Sequence, residues 1–261
     1  MGTSDREALR TLLTAMADDE LVLGHRNAEW TGHAPILEED IAFSNLAQDE
    51  LGHALVWYTQ LQELTGRTPD AAAFERPWNE FTCCRLVAQP NGDFAYTVVR
   101  QYLFDEAEQV RLAALRTSTH LPFRDIAAKL LREESYHLTH SKGLLTRLGD
   151  ATPESHARMQ AAVDAAFPRA LEIFEELPGE QLLVDAGVFP GNAALLHAWL
   201  DRVVPVLRAA SLHPPVRGEG AAAAVTCAAE PGGRAGRGHE HLMALVADLQ
   251  SVYRTVPGGA W

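Results

Sequence analysis

The sequence predicts an all-α bundle of long helices, and three observations lead there. Apolar residues recur at three- and four-residue spacing through most of the chain. Strand-like alternation is almost absent, and clusters of β-branched residues are few. The 261 residues are 47% hydrophobic and 22% charged, a balance that supports a buried core.

The helices can be placed in order. The first begins near Ser4, a good capping residue, and carries Leu9, Leu12, Leu13, Met16, Leu21 and Leu23 toward Trp30. Thr31 to Ala34 form a turn. Pro35 suits a helix start, and Glu38, Glu39 and Asp40 follow at the positive end of the helix dipole. This second helix runs to about Leu64 and stops at Gly66. Residues 66–92 hold Pro69, Pro77, Pro90 and Gly92 and read as a long loop with short turns. A third helix spans about Asp93 to Thr117, and a fourth about Pro122 to Leu148, with Gly149 just past its end. Thr152-Pro153-Glu154 starts a fifth, to about Leu177. A sixth covers roughly 190–210, residues 211–238 are irregular, and a last helix runs from His239 to about Arg254. One domain over 1–261 is expected, with a core bundle at about 4–150 and additional C-terminal helices packed on it.

Composition narrows the function. The formal net charge is −13, which disfavours a nucleic-acid binder or an anionic-membrane binder. No apolar run is long enough to span a bilayer. The segment MGTSDREALRTLL has early acids and no small-residue cleavage site, so it does not read as a secretory signal. Three cysteines, Cys83, Cys84 and Cys227, are too few for a disulfide framework or a four-cysteine cluster. A soluble cytoplasmic protein is expected.

The chemistry lies in a repeated motif. Glu50-Leu51-Gly52-His53 on the second helix and Glu134-Ser135-Tyr136-His137 on the fourth are both Glu-x-x-His. Residues three apart share a helical face, so each motif aims one carboxylate and one imidazole at the same place. One such motif is weak, because both residue types are common on exposed faces. Two of them, 84 residues apart on separate long helices, are much stronger. Glu20 on the first helix and Glu106 on the third supply one more carboxylate each. Four glutamates and two histidines in this order are the ligand pattern of a carboxylate-bridged two-metal site in a four-helix bundle. Oxygen-rich ligands with imidazole suit two Fe, and Mn is not excluded. Asp49, Glu133 and Asp105 sit beside proposed ligands but point about 100° away round the helix, which suits support of the ligands. Tyr102, four residues before Glu106, looks toward the same site.

Several stretches resemble the C-subunit family of the multicomponent phenylacetyl-CoA epoxidases. They are Leu21–Arg26 (LVLGHR), Glu29–Pro35 (EWTGHAP), Leu37–Ala42 (LEEDIA), Gln89–Ala95 (QPNGDFA), Tyr136–Leu138 (YHL) and Arg147–Asp150 (RLGD) with Glu154-Ser155-His156. The tail Gly233–Leu242 (GRAGRGHEHL) and Pro257–Trp261 (PGGAW) is similar too. The resemblance spans nearly the whole chain and is weakest across 177–230. It implies a ferritin-like fold and a place in a complex that adds one oxygen atom of O₂ across the aromatic ring of phenylacetyl-CoA. In that family a related A-type protein carries the di-iron site, and the C-type protein is usually structural, its ligand positions lost. This sequence departs from that pattern, because Glu20, Glu50, His53, Glu106, Glu134 and His137 are all present. In a catalytic chain, Glu50 and Glu134 are candidate bridging ligands and Glu20 and Glu106 terminal ones, with His53 and His137 giving one imidazole per iron.

Electrons must come from a separate reductase, because the chain has neither a dinucleotide-binding glycine motif nor enough cysteines for an iron–sulfur cluster. The expected partners are therefore a related catalytic or structural epoxidase subunit, the reductase and an acyl-CoA substrate, with a homodimer a further candidate. The leading expectation is a di-iron monooxygenase component. The alternatives are a structural subunit that stabilises a catalytic partner, and a ferritin-like iron-handling protein.

Weaker features read more plainly. Arg234, Arg237, His239 and His241 form a small basic patch suited to the phosphates of coenzyme A or to an acidic partner surface, but an ordinary solvated loop is the preferred reading. Cys83-Cys84 reads as a buried pair of small residues rather than a bridge. Trp30, Trp57, Trp78 and Trp199 read as core or subunit contacts.

Overall fold

The computed structural model describes residues 2–230, 232–234 and 240–256. The expected Arg237 and His239, and the tail 257–261, lie outside the described residues. The chain is all-α, of the ferritin-like class, and no described helix is long and apolar enough to cross a membrane. It packs as two compact units, one built on Leu9–Pro90 with the described residues from Gly232 onward, the other on Gly2–Ala8 with Asn91–Pro231.

The first unit holds most of α1 (Thr3–Ala28), then α2 (Leu37–Thr65), the short α3 (Pro69–Phe74) and α4 (Arg85–Ala88), and the C-terminal α10 (Leu242–Leu249) and α11 (Ser251–Thr255). Short helices therefore stand where the sequence predicts only a loop with turns. Along α2 the buried residues step by three and four: Glu39, Phe43, Leu46, Glu50, His53, Trp57. Glu50 and His53 thus occupy two places in the apolar stripe itself. Gly24 on α1 lets α2 approach closely. A β-carbon there would lie 3.1 Å from the Ala47 carbonyl oxygen and 3.2 Å from the Glu50 β-carbon.

The second unit is organised round α5 (Phe94–Leu115), capped by Asp93, whose side chain accepts from the Tyr96 amide at 2.9 Å. α5 is buried on nearly every face. It is surrounded by α6 (Leu121–Asp150), α7 (Pro153–Ala170) and α9 (Asn192–Ala209), with the short α8 (Glu180–Asp185) between the last two in sequence. α6 buries Phe123, Ala127, Leu130, Glu134, His137, Ser141 and Leu144, again one stripe stepping by four and three. Thr152 caps α7 through a reciprocal pair of hydrogen bonds with Ser155, and Pro153 sits in the first turn as expected. A two-residue antiparallel pairing, Val216–Arg217 with Ala224–Val225, is the one sheet among the described residues.

Gly149 is not the residue past the end of the fourth helix. α6 continues through it, and it is buried where the helix meets Ala210. A β-carbon at Gly149 would fall 2.6 Å from the Ala210 carbonyl oxygen. Packing against backbone, not helix termination, explains this glycine. Gly149→Val is therefore expected to lower stability by about 1–3 kcal/mol, read as a lower urea midpoint at unchanged slope. An unchanged midpoint would show that α6 and Ala210 separate freely.

Candidate metal centre

The first unit buries three consecutive acids on α1: Asp18, Asp19 and Glu20. Helical geometry turns each about 100° from the last, so each meets different company. Asp18 faces Arg76, which reaches it with both terminal nitrogens, one at 3.2 Å. Tyr58 also donates to Asp18 at 2.6 Å, as does the Thr82 amide at 2.7 Å. Asp19 faces Arg234 at 2.8 Å and accepts from the Cys84 amide at 2.7 Å. Burial, with the Asp18 charge behind it, holds the Tyr58 hydroxyl well above the ordinary phenol range, so it stays a donor. Burial works against the charged Arg76 guanidinium, yet the neighbouring Asp18, Tyr58 and Cys83 together more than offset this and keep it charged.

Glu20 has different neighbours. His53 Nδ1 lies 4.0 Å from Glu20 Oε2 and 3.8 Å from Glu50 Oε2. Donor atoms of the three residues all fall within 4.8 Å of one another, and all three side chains are buried. Two buried carboxylates beside an imidazole make a donor set that a cation would stabilise. First-row metal–ligand bonds of about 2.0–2.2 Å place neighbouring donor atoms roughly 3–4 Å apart, and the two carboxylate–imidazole separations lie at the upper end of that range. The donor set fits a metal ion.

In the second unit, Glu134 and His137 meet as the motif predicts, with Glu134 Oε1 at 3.2 Å from His137 Nδ1, both buried. α5 offers two adjacent carboxylates. Asp105 is fully buried, accepts from Gln101 Nε2 at 2.7 Å and Ser141 Oγ at 2.5 Å, and lies within 4.8 Å of a ring nitrogen of His137. A carboxylate so placed can fix the orientation of the imidazole. Glu106 is also buried, but its Oε2 accepts from Arg202 Nε at 2.5 Å, and Tyr102 Oη stands 3.5 Å from its other oxygen. Burial and the Glu106 charge hold the Tyr102 hydroxyl well above the ordinary phenol range. Asp49 is exposed and Glu133 half-buried.

Arg234 departs from the solvated-loop reading: it is buried and paired with Asp19. His241 is half-buried, 3.1 Å from Glu240. Cys83 and Cys84 are buried free thiols, and burial pushes the Cys83 thiol well up. Trp57 and Trp199 are core residues. Sequence reasoning passed over Asp18, Arg76 and Arg202. An Asp-Asp-Glu run inside an apolar helix was a signal for the first. Arg76 lies in the stretch expected as loop, and Arg202 is a half-exposed arginine like many others.

The whole chain, residues 1–261, matches the family described as phenylacetic acid catabolic protein. The chain belongs to this family. It is 34% identical over 247 residues to the C component of the 1,2-phenylacetyl-CoA epoxidase of Escherichia coli K12, an alignment covering 94% of this chain and 96% of that protein. Among the described residues, the buried carboxylate–imidazole cluster is a feature that could hold a metal ion.

The Asp18–Arg76 pair can be tested by itself. Arg76→Met strands a buried carboxylate and is expected to cost about 3–5 kcal/mol in denaturant unfolding, whereas the double variant Asp18→Asn with Arg76→Met recovers part of the loss. A double-variant loss equal to the sum of the Asp18→Asn and Arg76→Met losses would show that the two side chains are not coupled.

Proposed function

We propose that this chain is a subunit of a phenylacetyl-CoA epoxidase acting in aerobic phenylacetate breakdown, and that it binds iron through its own ligands. The buried cluster of Glu20, Glu50 and His53 carries the reading, supported by the full-length similarity to the C component of such an epoxidase. Glu20, Glu50 and His53 hold one ion. Glu134 and His137, with Glu106, hold a second. Manganese shares these ligand preferences. Bound iron would supply the activation of O₂ for transfer of an oxygen atom to the aromatic ring.

The protein's own contribution is positional. The Glu-x-x-His spacing puts each carboxylate and imidazole on one face of a helix. Gly24 sets the approach of α2 beside Glu50. Asp105, held by Gln101 and Ser141, orients His137. Arg76 and Arg234 neutralise Asp18 and Asp19, so that the charge beside Glu20 is already balanced. Buried ligands also keep bulk water from the ions. Electrons come from a separate reductase, and the acyl-CoA substrate and a related subunit complete the complex. The chain is read as cytoplasmic, and a homodimer remains among its candidate assemblies.

A second reading, that this is a structural subunit supporting a catalytic partner, is favoured by one observation. Glu106 is engaged by Arg202 rather than gathered with other donors. Reconstitution separates the two readings. In a complex assembled with its partner subunit and reductase, Glu134→Ala and His53→Ala are expected to lower iron content and reduce phenylacetyl-CoA-dependent O₂ consumption by roughly two orders of magnitude or more, the scale seen when a group essential to the chemistry is lost. Assembly should stay intact by size exclusion. Full activity in a normally assembled Glu134→Ala complex would refute the catalytic reading and leave the structural one.

A further inference from the structure

Glu106 has two claims upon it. By sequence order it is the α5 carboxylate of the ligand pattern, yet its Oε2 is held by Arg202 Nε at 2.5 Å. The arginine comes from α9, 96 residues further along the chain. Its side chain is 47% exposed, whereas that of Glu106 is 2% exposed. A buried anion is thus neutralised by a cation whose other side is open to water.

The register behind this contact is fixed. Trp199, three residues before Arg202 on α9, donates its indole N–H to the carbonyl of Leu103 at 2.9 Å, and Leu103 is three residues before Glu106 on α5. The two pairs are successive rungs between the same two helices. The Trp199 rung is fully buried and wedged between Phe167 and Phe174, with ring centroids at 5.2 and 5.3 Å. It locks α9 against α5 and presents Arg202 to Glu106. The Arg202 rung differs. An arginine can leave a carboxylate for water with no cavity opened behind it, because half of it is already solvated.

We propose that Arg202 is a latch on Glu106: a positioning residue that neutralises this carboxylate when no metal claims it, and that must swing into solvent before Glu106 can ligate. The guanidinium and a divalent cation compete for the same carboxylate oxygens. Tyr102 stands at the other oxygen, 3.5 Å away. The latch makes one metal equivalent weaker than the other. Glu20, Glu50 and His53 already stand together as a donor set, whereas the ion that uses Glu106 must displace Arg202. The inference rests on the proposed metal-binding reading, and it places control of the second ion on an exposed residue of α9, where a docking subunit could reach it.

The test is Co(II) titration of the full-length chain, followed by calorimetry and by the visible absorption that reports cobalt coordination. The parent should bind one tight and one weak equivalent. Arg202→Gln should tighten the weak equivalent by about tenfold, the scale expected for removal of one charge-assisted contact, and leave the tight one unchanged. Arg202→Met serves as a second variant, and thermal unfolding checks that both fold. Loss of a positive charge alone could also favour a cation, so the cycle is completed in a Glu106→Gln background. There the Arg202→Gln effect should vanish. If metal binds but Arg202→Gln changes nothing, or if its effect persists without Glu106, the latch is overturned while the metal centre stands. If neither parent nor Arg202→Gln binds Co(II), the metal reading fails and takes the latch with it.

Discussion

Compensation of buried carboxylate charge is the constraint on which the rest of this structure depends. Asp18, Asp19, Glu20, Glu50, Asp105, Glu106, Glu108 and Glu134 are all buried. An isolated interior carboxylate is too costly to persist ionised, so each must find a partner or a proton. Arginine serves four of them: Arg76 at Asp18, Arg234 at Asp19, Arg202 at Glu106 and Arg111 at Glu108. Glu20 and Glu50 turn instead to His53, and Glu134 to His137. The first solution is structural and complete. The second leaves carboxylate and imidazole donors facing one another, which is what a metal ion needs. The division separates arginine-paired acids from histidine-facing ones, and Glu106, paired with a half-exposed arginine, stands between the two groups.

This division also explains what could be read in advance. The two Glu-x-x-His helices were legible because their polar pairs replace apolar residues in an otherwise regular stripe, so the motif's spacing and the burial period coincide at Glu50, His53, Glu134 and His137. The helix starts at Asp93 and Thr152 were legible because capping is local chemistry. Gly149 misled because helix-ending glycines and close-packing glycines look alike in sequence. Only the approach of Ala210, far along the chain, decides between them. Arg202 was illegible for the same reason: its meaning depends on the 96-residue jump from α9 to α5. Arg234 lay in a segment whose glycines suggested solvent, and its burial follows from Asp19, which sequence distance concealed.

The adjacent acids of α5 show how one helix can serve both ends. Asp105 and Glu106 are neighbours in sequence, about 100° apart round the axis. Asp105 accepts from Ser141 on α6 and from Gln101 one turn earlier on α5, beside His137. Glu106 points to α9 and its arginine. A one-residue change of register would exchange these roles, and α5 is held against such a change by burial on nearly every face. The burial of α5 therefore keeps Asp105 and Glu106 in distinct surroundings.

The surroundings of the two proposed ligand sets then differ in kind. In the first unit, Asp18 and Asp19 carry arginines whose side chains are almost wholly buried. Releasing either would leave a charge stranded in the interior, so those pairs are fixed. In the second, the arginine on Glu106 is half in water, so its release strands only the carboxylate, a charge that an incoming cation would neutralise. A protein meant only to fill the place of a lost metal would gain most from a buried arginine at Glu106, matching Arg76. One meant to bind metal unconditionally would gain from having none. A half-exposed arginine suits neither extreme. It suits the proposed site, whose carboxylate would be neutralised without metal and could still be released to one.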